Sequence, residues 1–203
     1  MKYKIFLLLC FSISMVISSI KPHDYFTWFL EVFPAIIGLV IILFSNKKFP
    51  LTNFTLTCLL IHAIILMIGG HYTYAEVPLF NWIKDVLHQN RNNYDKIGHF
   101  AQGFFPALLI REVMLRKNVI QLRSWRNVLI VSMCMAISTS YEFLEWGVAL
   151  ISGEDADAFL GTQGYVWDTQ SDMFYATCGA IIALILFSQL QNKKINLLNQ
   201  SNI

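Results

Sequence analysis

Apolar residues run almost unbroken through 4–20, 27–45, 50–70, 97–115, 127–151 and 173–190, with the charged residues gathered between the runs. A helix needs about 20 mostly apolar residues to cross the hydrocarbon core of a bilayer, so the pattern predicts six spans. A shorter stretch, 77–90, mixes Phe80, Trp82 and Leu87 with Lys84 and Asp85, and it predicts a helix lying in the membrane interface. Lys2 and Lys4 ahead of the first run look like the start of a signal peptide. No A-x-A pattern follows and more spans come after it, so that run is read as a retained helix. The expected fold is all-α: one integral membrane domain over 1–203, built as a polytopic bundle of about six transmembrane helices.

Composition supports this reading. Of 203 residues, 56% are hydrophobic and 14% charged, with a mean hydropathy of +0.52. A soluble domain carries roughly 25% charged residues, so a water-soluble enzyme or adaptor is excluded. A net charge of +2, from 15 basic and 13 acidic side chains, points away from nucleic acid as a partner. Cys10, Cys58, Cys134 and Cys178 all fall inside apolar runs without a CxxC pair, as small buried hydrophobes do.

The basic residues orient the chain. Lys2, Lys4, Lys47, Lys48, Arg111, Arg116, Lys117, Arg123, Arg126, Lys193 and Lys194 fall on one side of the predicted membrane; Lys21, Lys84, Arg91 and Lys96 fall on the other. Positive charge is retained in the cytoplasm, so both termini are expected there. The loop between the last two spans then lies outside, with Glu154, Asp155, Asp157, Asp168 and Asp172 and no lysine or arginine. The acidic and histidine residues near span ends belong to the second half of the chain, without the matched features of an inverted repeat.

Ionisable groups at membrane depth are costly and mark function by default. Asp95 and His99 lie four apart at the start of the fourth span, Glu142 and Glu145 three apart in the fifth, and Asp168 and Asp172 four apart where the sixth begins. These spacings place each pair on one helix face, and the topology puts all three at similar depth. Carboxylates with one histidine suit Mg, Mn, Ca or Zn. Asp95, His99, Glu142, Asp168 and Asp172 are therefore the candidate ligands, and Glu145 with Glu142 the candidate catalytic carboxylates. His71, Asp155, Asp157 and Gln163 are further candidates, and Lys96 is a possible basic partner of the glutamates. Thr169-Gln170-Ser171-Asp172 also fits a capping box, which would give Asp172 a structural role at a helix start. His62 is expected to be a packed, hydrogen-bonded histidine.

Four motifs carry a resemblance that covers nearly the whole chain. They are His71-Tyr72-Thr73-Tyr74, Tyr94-Asp95-Lys96-Ile97-Gly98-His99-Phe100, Tyr141-Glu142-Phe143-Leu144-Glu145-Trp146, and Asp157 to Gly164 continuing through Val166 to Met173. Together they resemble the YjdF family of bacterial inner membrane proteins. The resemblance implies the bacterial cytoplasmic membrane and a multi-pass topology, without implying an activity. A more distant likeness, through Asp95-Lys96-x-x-His99-Phe100, is to VanZ-like membrane proteins, although the late D-x-x-x-N-x-x-G of that group lacks its asparagine here.

The leading functional expectation is a site on the outer face that binds a divalent metal and acts on a lipid-linked or envelope substrate, with the lipid bilayer as its constant partner. Two alternatives stand beside it. One is a cation- or proton-coupled transport or binding protein, and the other a non-catalytic scaffold whose acids cap and pair helices.

Overall fold

A computed structural model describes residues 2–152 and 163–200. Among them seven helices follow in order: α1 (Lys2–Ser19), α2 (Tyr25–Ser45), α3 (Asn53–His71), α4 (Pro78–Val86), α5 (Tyr94–Arg116), α6 (Arg123–Ser152) and α7 (Asp168–Gln200). Each apolar run is a helix, and the described residues contain no strand. The 77–90 stretch holds α4, which starts on Pro78 and leaves Leu79, Trp82 and Val86 exposed, as an interfacial helix would.

α1, α2, α3, α6 and α7 are long and apolar enough to cross a membrane. α5 has 23 residues, about 34 Å of helix, but carries Asp95, Lys96, Arg111, Glu112 and Arg116. It tolerates them because α3, α6 and α7 pack around it, so that Asp95, Arg111 and Glu112 are buried against protein rather than lipid. α7 has 33 residues, about 50 Å, so the 173–190 run is the middle of a helix that outreaches the roughly 30 Å hydrocarbon core at both ends.

Cross-links between helix ends define two poles. At one, Lys4 Nζ donates to Asn46 Oδ1 at 2.7 Å, and Tyr3 and Thr57 share a 2.7 Å bond. At the same pole the fully buried Glu112 accepts from Thr52 N, Thr52 Oγ1, Thr55 Oγ1 and Arg116 Nη1 at 2.5–3.0 Å. That carboxylate clamps the α2–α3 turn onto α5. At the other pole, His71 Nδ1 contacts Ser18 O at 2.9 Å, and Tyr94 Oη donates to Ile65 O at 3.0 Å. The acidic residues of interest cluster at this second pole.

The α5–α7 pair forms the most extensive helix contact. Two glycines set its closeness. A Cβ added at Gly103 would stand 1.7 Å from Ala176 O, and one added at Gly179 would stand 2.1 Å from Phe100 O. Ala107, Ala176, Ala180 and Ala183 complete the seam, all fully buried, in keeping with the small residues that let helix backbones approach in membranes. Leu108, Ile130 and Cys134 fill the space where α6 closes on this pair. All four cysteines are free; Cys58 and Cys134 are buried, whereas Cys10 and Cys178 are only partly so.

Candidate functional site

Asn92, fully buried just ahead of α5, organises the entrance to the second pole. Its side chain donates to Val77 O and Asn81 Oδ1, and its Oδ1 accepts from Tyr94 N at 3.0 Å. Its backbone N–H and C=O are both taken by the amide of Gln163, at 2.9 Å each. Gln163 is thus a clip that holds the chain leading into α7 against the start of α5. The clip brings Asp168 to Arg91, whose Nη1 bonds Asp168 Oδ1 and whose Nη2 lies 3.3 Å from Asp95 Oδ2.

His99 lies one turn further along α5. Its Nε2 faces Asp95 Oδ1 at 3.3 Å and Asp172 Oδ2 at 3.9 Å; its Nδ1 faces Gln102 Oε1 at 3.3 Å and Glu142 Oε1 at 3.9 Å. Asp95, His99 and Asp172 each offer a ligand atom, all within 4.8 Å of one another. Asp95, His99, Glu142, Glu145, Asp168 and Asp172 are all buried. The three pairs expected from the sequence therefore meet in space, one from each of α5, α6 and α7. Two carboxylate oxygens of these residues, Glu142 Oε1 and Asp172 Oδ1, are buried without a hydrogen-bond partner, a condition that costs free energy unless something else satisfies them. Glu145 makes no ion pair with a basic side chain among the described residues and interacts electrostatically with Glu142 and His99.

Several expectations need correction. Lys96 does not pair with the glutamates: its ammonium lies over the rings of Tyr165 and Tyr175, 5.3 and 5.7 Å from their centroids, because it points around α5 to the α7 side. His71 does not join the site, since its ring bonds Ser18 O and ties α3 to α1. The capping role of Asp172 fails because α7 already begins at Asp168, leaving Asp172 one turn inside the helix and facing His99. His62 is packed against Phe105, but its Nε2 has no hydrogen-bond partner. Asp155 and Asp157 lie outside the described residues.

Three further residues contribute to this pole. Arg91 is the guanidinium that bridges two of the acids; its place four residues before Asp95 is the signal that could have exposed it. Glu31 on α2 is buried and accepts a 3.0 Å bond from Tyr141 Oη, which joins α2 to the face of α6 that carries Glu142 and Glu145. Tyr74, in the α3–α4 connection, lays its ring in a slot between Gly69 and Gly98, where an added Cβ would come within 2.1 and 2.6 Å of it. Burial pushes its phenol well above the ordinary range, with the negative charge of Glu31 adding to the effect, so it remains a neutral donor.

Comparisons with known proteins agree with the membrane architecture. A family described as predicted membrane protein (DUF2238) matches residues 3–193. The inner membrane protein YjdF of Escherichia coli (strain K12) is 42% identical over 187 residues, covering 92% of this chain and 90% of that protein. No solved structure matches.

Proposed function

The chain belongs to the DUF2238 family of membrane proteins, and we propose that its buried carboxylate–histidine cluster is a divalent-cation site on the outer side of the bacterial cytoplasmic membrane. In this reading α5 also crosses, the fourth of six crossings in a single membrane domain, both termini face the cytoplasm, and the acidic pole faces out. The basic residues of the opposite pole support that orientation.

One observation carries the site: Asp95 and Asp172 converge on Nε2 of His99, while Asp172 Oδ1 and, on the Nδ1 side of the ring, Glu142 Oε1 remain unsatisfied. With Nδ1–H donated to Gln102 Oε1, the Nε2 lone pair would face two carboxylates, an arrangement that a cation relieves. Donor atoms about 2.1 Å from one cation stand about 3 Å apart when cis and 4.2 Å apart when trans. The 3.3 and 3.9 Å separations around His99 fall in that window. Asp95, His99 and Asp172 would be the ligands, with Glu142, which faces the Nδ1 side of the ring, adding negative charge nearby. Asp168 is held by Arg91 at the rim, and Glu145 is placed as general base. The oxygen-rich set with one imidazole fits Mn, Mg, Ca or Zn.

The chemistry that such an ion supplies is metal-assisted hydrolysis or phosphoryl transfer, and a lipid-linked or envelope substrate fits a site at this depth. Metal content tests the reading. Detergent-purified protein reconstituted with Mn, Zn, Mg or Ca and then desalted is expected to hold near-stoichiometric metal by elemental analysis. His99→Ala and Asp172→Asn, matched for elution profile and thermal transition, are expected to lose it. Metal absent from the wild type, or equal in all three proteins, would overturn the proposal.

A further inference from the structure

Far from the carboxylate cluster, α1 and α2 each seat on α3 but make no extensive contact with each other. Between them opens a groove of about 610 Å³, within the roughly 300–1,000 Å³ typical of ligand sites. Its floor comes from α3, with Leu109 and Val113 of α5, and its walls are hydrocarbon apart from Lys4, Ser45, Asn46 and His62. Three of these four polar residues sit at one end, where Lys4 meets Asn46.

We propose that this groove holds an acyl chain of one anionic phospholipid drawn from the leaflet on the Lys4 side. Three observations support that occupant. The first is depth. Along α2 the groove runs from Pro34 to Asn46, twelve residues or about 18 Å, close to the roughly 15 Å of a single leaflet's hydrocarbon.

The second is charge. Phe49 lines the groove at its polar end, and the Arg116 guanidinium and Lys117 ammonium lie 4.0 and 5.3 Å from the centre of its ring. Lys47 and Lys48 precede it in the chain. Arg116 is paired with Glu112, but among the described residues Lys4, Lys47, Lys48 and Lys117 have no carboxylate partner. A phosphate head group at this rim would meet lysines, while its chain would meet only hydrocarbon. That combination selects an anionic lipid over a zwitterionic one.

The third is room. Gly38 lines the groove, and a Cβ added there would meet nothing within 4 Å. Pro34, one turn earlier, removes a backbone hydrogen bond from α2, a usual cause of a helix bending away from its neighbour. A space of this size and polarity does not hold ordered water, and in a bilayer the available filler is a lipid tail.

The test uses full-length protein reconstituted in vesicles of equal phosphatidylglycerol and phosphatidylethanolamine, then extracted in mild detergent and weighed by native mass spectrometry. Wild type is expected to retain one phosphatidylglycerol per chain. Gly38→Trp, which fills the groove, is expected to lower retention roughly tenfold, whereas Gly147→Trp, at another open helix position, leaves it unchanged. Lys4→Glu combined with Lys48→Glu is expected to remove the preference for phosphatidylglycerol. If Gly38→Trp does not give a folded, monodisperse protein, Gly38→Leu is read in its place. Equal retention in wild type and the groove-filling variant, no retained lipid in wild type, or a head-group preference that survives charge reversal would each overturn the proposal.

Discussion

Gly103→Ala isolates the contact that holds the acidic pole together. The new methyl would lie 1.7 Å from Ala176 O, 2.5 Å from its carbonyl carbon and 2.9 Å from its Cα, where ordinary contacts begin at 3.4 Å. All three obstacles are backbone, so no rotamer change relieves them and α5 and α7 must separate. Alanine improves intrinsic helix propensity over glycine by about 1 kcal/mol, but overpacking a closed contact costs typically about 1–3 kcal/mol and more where the backbone must move. The net expectation is a loss of about 1–2 kcal/mol, seen as a fall of several degrees in the thermal midpoint of the detergent-solubilised protein. Gly147→Ala supplies the control: nothing lies within 4 Å of its added Cβ, so propensity acts alone and the variant is expected to be unchanged or slightly more stable. His99 and Asp172 each lie one turn from this crossing, four residues before Gly103 and Ala176, so separation also widens the gap between them. Metal retained after desalting should fall in Gly103→Ala and not in Gly147→Ala. Equal midpoints for the two alanine variants would refute the steric reasoning, and equal metal content would refute the link from crossing to site.

Other variants probe single links. Arg91→Ala leaves Asp95 and Asp168 without their shared guanidinium; breaking a buried pair in this way costs about 3–5 kcal/mol. Thermal scans of the metal-free variant are expected to show that loss, with added Mn recovering part of it. Glu112→Ala strands the Thr52, Thr55 and Arg116 donors at the opposite pole. A cost of at least about 3 kcal/mol is expected with metal content retained at the folded protein's level, checked by comparing chemical unfolding with elemental analysis. Tyr141→Phe removes the hydrogen bond through which Tyr141 joins Glu31 to α6 and is expected to cost about 1–3 kcal/mol, since the buried carboxylate loses a donor. An unchanged midpoint there would mean that Glu31 is satisfied by other means.

The helices were legible because an apolar run of spanning length has few other fates in a chain with this little charge. The run boundaries fall near the observed ends for α1, α2, α3 and α6, whereas α7 extends well past its apolar stretch. Polar residues such as Asp168-Thr169-Gln170-Ser171 continue a helix once its backbone bonds are seeded, and hydropathy does not register them. The pairing of Asp95 with His99, and of Glu142 with Glu145, was legible from helical spacing alone. Lys96, read as a basic partner of the glutamates, instead meets the ring faces of Tyr165 and Tyr175, because the direction in which it leaves α5 depends on which helices pack there.

The meeting of the three pairs was the part that shared depth suggested but did not decide, yet its cause is written in the chain. On α5 the face that carries Asp95 and His99 continues through Gly103 and Ala107; on α7 the face of Asp168 and Asp172 continues through Ala176, Gly179, Ala180 and Ala183. Each stripe is ionisable at the acidic pole and small below it. Two such stripes can pack only against each other: facing lipid, the carboxylates would be unsolvated and the small residues would leave grooves. Facing one another, the small residues allow the backbones to touch, and that closeness is what carries Asp172 to within reach of His99. A search for ionisable residues alone finds the donors. The small residues one turn away show which helices bring them together, and the same stretch of backbone therefore sets both the stability of the bundle and the geometry of its candidate site.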